Sequence, residues 1–97
     1  ELDDATRARL DDMEAAIEAR TRLRIKYHTE DGTESTRVIR PLGLWFWGKV
    51  WTLVAWCELR EGFRMFRADR VAALKEVGTF KPVAAQSLKA FYAQQRL

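Results

Sequence analysis

Leu10, Met13 and Ile17 follow one another at three- and four-residue spacing, with Ala16 beside them and charged residues on the remaining positions. That pattern predicts a helix over 3–20 with a single apolar stripe, suited to packing on a sheet. At Thr21 the period changes to two. Leu23, Ile25 and Tyr27 alternate with Arg22, Arg24, Lys26 and His28, the signature of a half-buried strand with a basic outer face. Asp31-Gly32 then predicts a hairpin through a type I′ turn. The return strand is expected over 33–40, with Pro41 ending it or marking an edge.

A short apolar strand is expected from Leu42 to Trp47, followed by a turn at Gly48-Lys49. The longest apolar run, Val50 to Leu59, carries Trp51, Leu53, Ala55 and Cys57 on one face and Thr52, Val54 and Trp56 on the other. Both faces need cover, so this strand belongs inside a sheet. Glu61-Gly62 turns the chain into a strand over 63–67. An irregular step at Ala68-Asp69-Arg70 precedes another strand over 71–77. After Gly78 and a linker, "TFKP", Ser87 can cap a short helix whose apolar stripe is Leu88, Phe91 and Tyr92. The predicted class is mainly β with flanking helices. Short strands at close spacing with tight turns imply a small barrel or a strongly bent sheet.

Ninety-seven residues, 47% of them hydrophobic, allow one domain with one core. The 17 basic residues divide into 12 arginines and 5 lysines, a bias toward bidentate recognition of carboxylate or phosphate. Net charge is +3, and the positive excess lies in residues 21–81, behind an acidic segment over 1–20. Cys57 has no partner for a disulfide and sits within an apolar strand, so a buried thiol is expected. One cysteine and one histidine, His28, are too few for a metal site. No cofactor is implied. No signal peptide and no membrane-length apolar stretch is present, which leaves a cytoplasmic setting as the default expectation. The chain starts without Met in what reads as a helix, and is expected to be a piece of something longer.

No nucleophile–base order, no phosphate-cradling glycine loop and no zinc-hydrolase motif occurs, so an enzyme is not expected. His28 reads as a surface residue. The aromatic and basic residues are richer. Trp45, Trp47, Trp51 and Trp56 lie within twelve positions, enough to fill a small core with at least one indole left partly exposed. An exposed indole beside arginine is a platform for a nucleic-acid base, worth about 1–3 kcal/mol per base. Arg60, Arg64, Arg67 and Arg70 follow the apolar strand closely. With a period of two, Arg67 shares a face with Phe63 and Met65, and Arg64 shares the other with Phe66. They converge only if the chain bulges or turns near Ala68-Asp69. Spacing alone leaves open whether Arg67 and Arg70 pair with Asp69, Glu58 or Glu61, or meet a ligand. Arg37 and Arg40 are available from neighbouring strands.

The stretch "WTLVAWCELREGFRMFRADRV" resembles the signature of WYL domains: a W-Y-L-V-A strand, a charged turn, and F-R-x-D-R-I or a close variant. The triplet here is Trp51-Thr52-Leu53, followed by Val54-Ala55, and the closing element is Phe66-Arg67-Ala68-Asp69-Arg70-Val71. "RVIRPLGL" (Arg37 to Leu44) and "LRIKYHTEDGTES" (Leu23 to Ser35) resemble the family's entry to that strand and its first hairpin. The likeness covers about residues 15–80. Thr52 departs from it, since the family has tyrosine there. A hydroxyl survives and the ring is lost.

The resemblance implies an Sm-like, SH3-type β-barrel over 21–80. It further implies a connecting helix over 1–20 from a DNA-binding domain not contained in this chain, and a linker and short helix over 81–97. It implies the ligand-sensing part of a bacterial transcriptional regulator, with single-stranded DNA or a nucleotide as the effector. Carried over by position, the binding residues would be Arg37, Arg40, Trp51, Thr52, Arg64, Arg67 and Arg70, with Asp69 orienting one arginine. Arginines would neutralise phosphates while an aromatic ring stacks a base. The alternative is a dimerisation or assembly module, a homo-oligomer whose arginines form structural ion pairs. No membrane partner is expected.

Overall fold

The computed structural model describes residues 2–95. The chain runs α1 (Asp4–Ala19), β1 (Thr21–His28), β2 (Glu34–Trp47), β3 (Val50–Cys57), β4 (Gly62–Arg67), a 3-10 turn (Ala68–Arg70), β5 (Val71–Thr79), a second 3-10 turn (Ala84–Gln86) and α2 (Leu88–Gln95). The strands form one antiparallel sheet in the order β4-β3-β2-β1-β5. Among the described residues no ladder joins β4 to β5, so the sheet is open at both edges. This corrects the expected closed barrel. The 3-10 turn takes the chain from β4 across to β5, which pairs with β1 at the opposite edge.

α1 starts at Asp3, whose carboxylate accepts the Thr6 N–H at 2.7 Å, and ends at Arg20 in the left-handed region, φ 53°. Its Met13 and Ala16 are buried, with Leu10 and Ile17 beside them. They close over Leu23, Ile25, Ile39, Leu53, Ala55, Cys57 and Phe66 from the sheet. Full burial of a side chain such as Leu53 contributes roughly 1.5–3 kcal/mol. The stripe and the alternation read in the sequence therefore meet in a single core.

β2 differs from expectation. One fourteen-residue strand replaces the predicted pair, and Pro41 lies buried within it. The ladder to β1 ends at Ile39, while the ladder to β3 starts there and runs to Trp47. Beyond Ile39 the strand has one free side, so a residue without an N–H is tolerated. A bulge between Pro41 and Gly43 then inverts the alternation. Ile39 and Leu44 both face the core, although their spacing in a regular strand would place them on opposite faces.

The inversion sends Trp45 to the second face, where α2 packs. There Trp45 stacks on Tyr92 at 5.3 Å and meets Phe91 edge-on at 5.4 Å. Phe91 also meets Phe63 at 5.5 Å. Ser87 caps α2 as expected, its Oγ accepting the Ala90 N–H at 3.1 Å. With α1 on one face and α2 on the other, β3 is covered on both. Thr52, Leu53, Val54 and Ala55 are all buried.

The turns also depart from expectation. At Asp31-Gly32 only Gly32 has positive φ, 86°, and the Gly32 N–H reaches the Thr29 carbonyl at 2.9 Å. A type I′ turn needs positive φ at both central positions, so it is excluded here. Asp31 instead accepts hydrogen bonds from the Thr29 hydroxyl and then the Thr33 N–H, which pull its carboxyl down to about 2. Gly48 and Lys49, φ 57° and 70°, supply the paired left-handed residues between β2 and β3. Before β4, Glu61 rather than Gly62 takes the positive φ, at 50°.

Candidate nucleic-acid interface

Phe66 is clamped into the core by Leu53 and by an edge-on contact with Tyr27 at 5.0 Å. That contact aligns the end of β4. The Tyr27 hydroxyl accepts the Arg67 N–H at 3.0 Å, and the chain then turns through Ala68–Arg70 with Ala68 buried. Within this turn Arg67 donates to both oxygens of Asp69, Nε to Oδ1 at 3.0 Å and Nη2 to Oδ2 at 2.7 Å. The guanidinium holds the Asp69 carboxyl below its ordinary value. Asp69 thus orients one arginine and leaves the others to their own surroundings.

The structure brings together only some of the residues expected to act together. Trp51 and Arg67 line one cleft of about 210 Å³, with Lys49, Asp69 and the Asp3 and Thr6 side chains at the start of α1. Arg70 lines an adjoining cleft that shares Asp3, Thr6 and Asp69. Thr52 pairs in register with Arg67 and Trp45 but is only 7% exposed, so it offers a ligand almost no surface. Arg64 is exposed on β4 and falls on the face opposite Arg67, as strand parity requires. Arg37 is half-buried on β2 and directs Nη1 toward the buried Cys57 Sγ at 3.8 Å, a weak contact. Among the described residues, Arg37, Arg64 and Arg70 form no ion pair.

Arg40 stands apart. It donates Nε to Glu58 Oε2 at 3.0 Å and Nη1 to Gln86 Oε1 at 2.9 Å, and its guanidinium lies 5.6 Å from the Phe80 ring centre. Glu58 also receives a two-pronged contact from Arg22 Nε and Nη2, each at 2.8 Å. Arg22 in turn caps the Val77 carbonyl at 3.0 Å. One carboxylate therefore ties β1, β2, β5 and the second 3-10 turn together. Arg22, then burial working against it, then Arg40 set the Glu58 carboxyl at about 2. Sequence reasoning missed this cluster because its members lie 18 and 36 residues apart. It offered Glu58 to Arg67 and Arg70, which the fold places elsewhere.

The aromatic surface is at the β2–β3 tip. Phe46 and Trp47 are 60% and 72% exposed, which meets the expectation of an exposed indole. Phe46 tilts against Trp51 with ring centres 5.2 Å apart, extending the aromatic edge of the Arg67 cleft.

The WYL domain family profile matches residues 8–76. This chain belongs to the WYL domain family. Over 69 residues, 70% of the chain, it is 39% identical to the DNA-binding transcriptional repressor CapW of Stenotrophomonas maltophilia. The match spans 23% of CapW, so the chain corresponds to about a quarter of that relative's length. Among solved structures, proteasome accessory factor B/C (PafBC) of Arthrobacter aurescens superposes with a TM-score of 0.78 at 26% identity. That superposition covers 88% of this WYL domain and 13% of PafBC. The fold is thus that of a WYL domain.

Proposed function

We propose that this WYL domain is the effector-sensing part of a transcriptional regulator and binds single-stranded DNA or a nucleotide. The role within a regulator is carried over from CapW, a DNA-binding transcriptional repressor. The observation that carries the effector class is the placing of Trp51 and an Asp69-oriented Arg67 in one cleft, with Lys49 beside them. An indole face stacks a base of any sequence, and oriented guanidinium and ammonium groups neutralise phosphates. Arg70 extends the basic surface next door, and Arg37 and Arg64 are further cations for a longer strand. Arg40 serves the fold through Glu58 and is left out of the binding set. Thr52, in place of tyrosine, supplies no ring, so stacking falls to Trp51 and Phe46.

Fluorescence anisotropy of short labelled single-stranded DNA at low and moderate salt tests this reading. Binding should weaken steeply with salt, by about 0.7 in log–log slope per neutralised phosphate. Trp51→Ala should weaken it about tenfold and Arg67→Gln should lower the slope. Absence of binding at high micromolar protein overturns the effector class.

A second reading, subunit assembly, is favoured by the exposure of Phe46 and Trp47 at one hairpin tip. It predicts salt-insensitive, concentration-dependent dimers in analytical ultracentrifugation, lost in Trp47→Ser.

A further inference from the structure

The cleft beside the Arg67 site has a basic lining drawn from three elements. Arg9 comes from α1, His28 from the end of β1, and Arg70 from the 3-10 turn. Arg9 spans the gap between helix and sheet. Its Nη1 bonds the Ala5 carbonyl at 3.3 Å within α1, and its Nη2 bonds the Ala72 carbonyl on β5. Its Nε is buried and has no hydrogen-bond acceptor among the described residues. A buried charged donor left without an acceptor is costly, and such positions call for an explanation. Arg70 has no ion-pair partner among the described residues and faces the same cleft.

Two carboxylates also line the space, and both are engaged. Asp3 caps α1 through the Thr6 N–H, and Asp69 is neutralised by Arg67. With Arg67, which pairs with Asp69, three arginines stand against the two lining acids, and His28 adds a donor at the rim, where it faces Glu34 at 3.5 Å. At about 370 Å³ the space admits a phosphate with room for part of its bearer.

We infer that this cleft is a phosphate subsite, in which Arg9 and Arg70 grip the anion from opposite walls and His28 donates from the rim. The inference rests on the effector-sensing reading and deepens it. The Trp51 cleft would take the base and the adjoining cleft the phosphate, under a roof formed by Asp3 and Thr6. Because Arg9 lies on α1 and Arg70 on the 3-10 turn, the anion bridges the two elements.

Side-chain Nε–Hε resonances of the arginines, followed by NMR during titration with inorganic phosphate, test the inference. Arg9 and Arg70 should shift together along one saturating curve, while Arg24, outside the cleft lining, stays still. Arg70→Gln removes a side chain that makes no hydrogen bond among the described residues, and it should weaken phosphate binding about tenfold, as expected for one lost charge-assisted bond. Arg9→Gln should do the same, and Arg9→Lys, which keeps the charge, should recover part of it. Arg24→Gln, at an exposed β1 position outside the cleft lining, should bind within about twofold of the parent domain. A 5′-phosphorylated dinucleotide binding tighter than its 5′-hydroxyl form identifies a terminal phosphate as the occupant. Equal binding, displaced by inorganic phosphate, identifies a backbone phosphate. Failure of phosphate to shift Arg9 and Arg70, or unchanged affinity in Arg70→Gln, overturns the subsite. If single-stranded DNA still binds in that case, the broader reading survives and only the subsite falls. If phosphate binds but no oligonucleotide does, the subsite stands without the nucleic-acid effector.

Discussion

Replacing Glu58 with glutamine removes the charge shared by Arg22 and Arg40 while keeping the shape of the side chain. A carboxyl held at about 2 from its ordinary 4.5 corresponds to roughly 3 kcal/mol of coupling between its charge and the fold. The Glu58 side chain is 24% exposed, so solvent screening reduces the expected loss at neutral pH to about 1.5–2.5 kcal/mol. For a domain of this size that is a fall in Tm of roughly 6–20 °C. The pH dependence has a definite sign. The folded pKa lies below the unfolded one, so the stabilisation is complete above pH 4.5 and drains away as pH falls toward about 2. Urea unfolding followed by circular dichroism at pH 7 and pH 3 measures both effects. Glu58→Gln should be clearly weaker at pH 7, and the gap should narrow at pH 3. A difference under about 0.5 kcal/mol at pH 7, or a gap that persists unchanged in acid, would falsify the argument. Arg40→Gln supplies the functional counterpart. It should destabilise the domain while leaving single-stranded DNA affinity unchanged at a temperature where the protein is folded. Lost affinity with unchanged stability would return Arg40 to the binding surface.

Tyr27→Phe removes the acceptor for the Arg67 N–H at the end of β4. It should cost about 1–2 kcal/mol in urea unfolding, and amide exchange at Arg67 should accelerate; unaltered exchange would refute the role of the hydroxyl. Ser87→Ala deletes the α2 cap and should cost about 1 kcal/mol. Because α2 carries Phe91 and Tyr92 onto Trp45, near-UV dichroism should weaken with it, and an unchanged spectrum and stability would show that packing alone holds the helix.

Local pattern determined a great deal here. The stripe of Leu10, Met13 and Ile17, the alternation of Leu23, Ile25 and Tyr27, the capping by Ser87 and the irregular step at Ala68–Arg70 are all set by nearest neighbours, and each has its expected counterpart in the structure. The motif residues from Trp51 to Val71 were enough to place the chain in its family. The Arg67–Asp69 pair was also within reach, since two positions across a turn leave few other partners.

What depended on the whole fold was invisible for one physical reason: it rests on contacts between residues far apart in the chain. Pro41 reads as a stop, yet sits buried in a strand because β2 exchanges its β1 partner for β3 beside it. A single bulge there puts Trp45 on the face that α2 covers. Arg40 reads as one of several interchangeable arginines, and Glu58 as a partner for its nearer neighbours. Only the sheet order, by bringing β1 and β3 to either side of β2, hands Glu58 to Arg22 and Arg40. The same geometry sets Arg9 of the helix beside Arg70 of the turn, two residues that no spacing in the sequence would have paired.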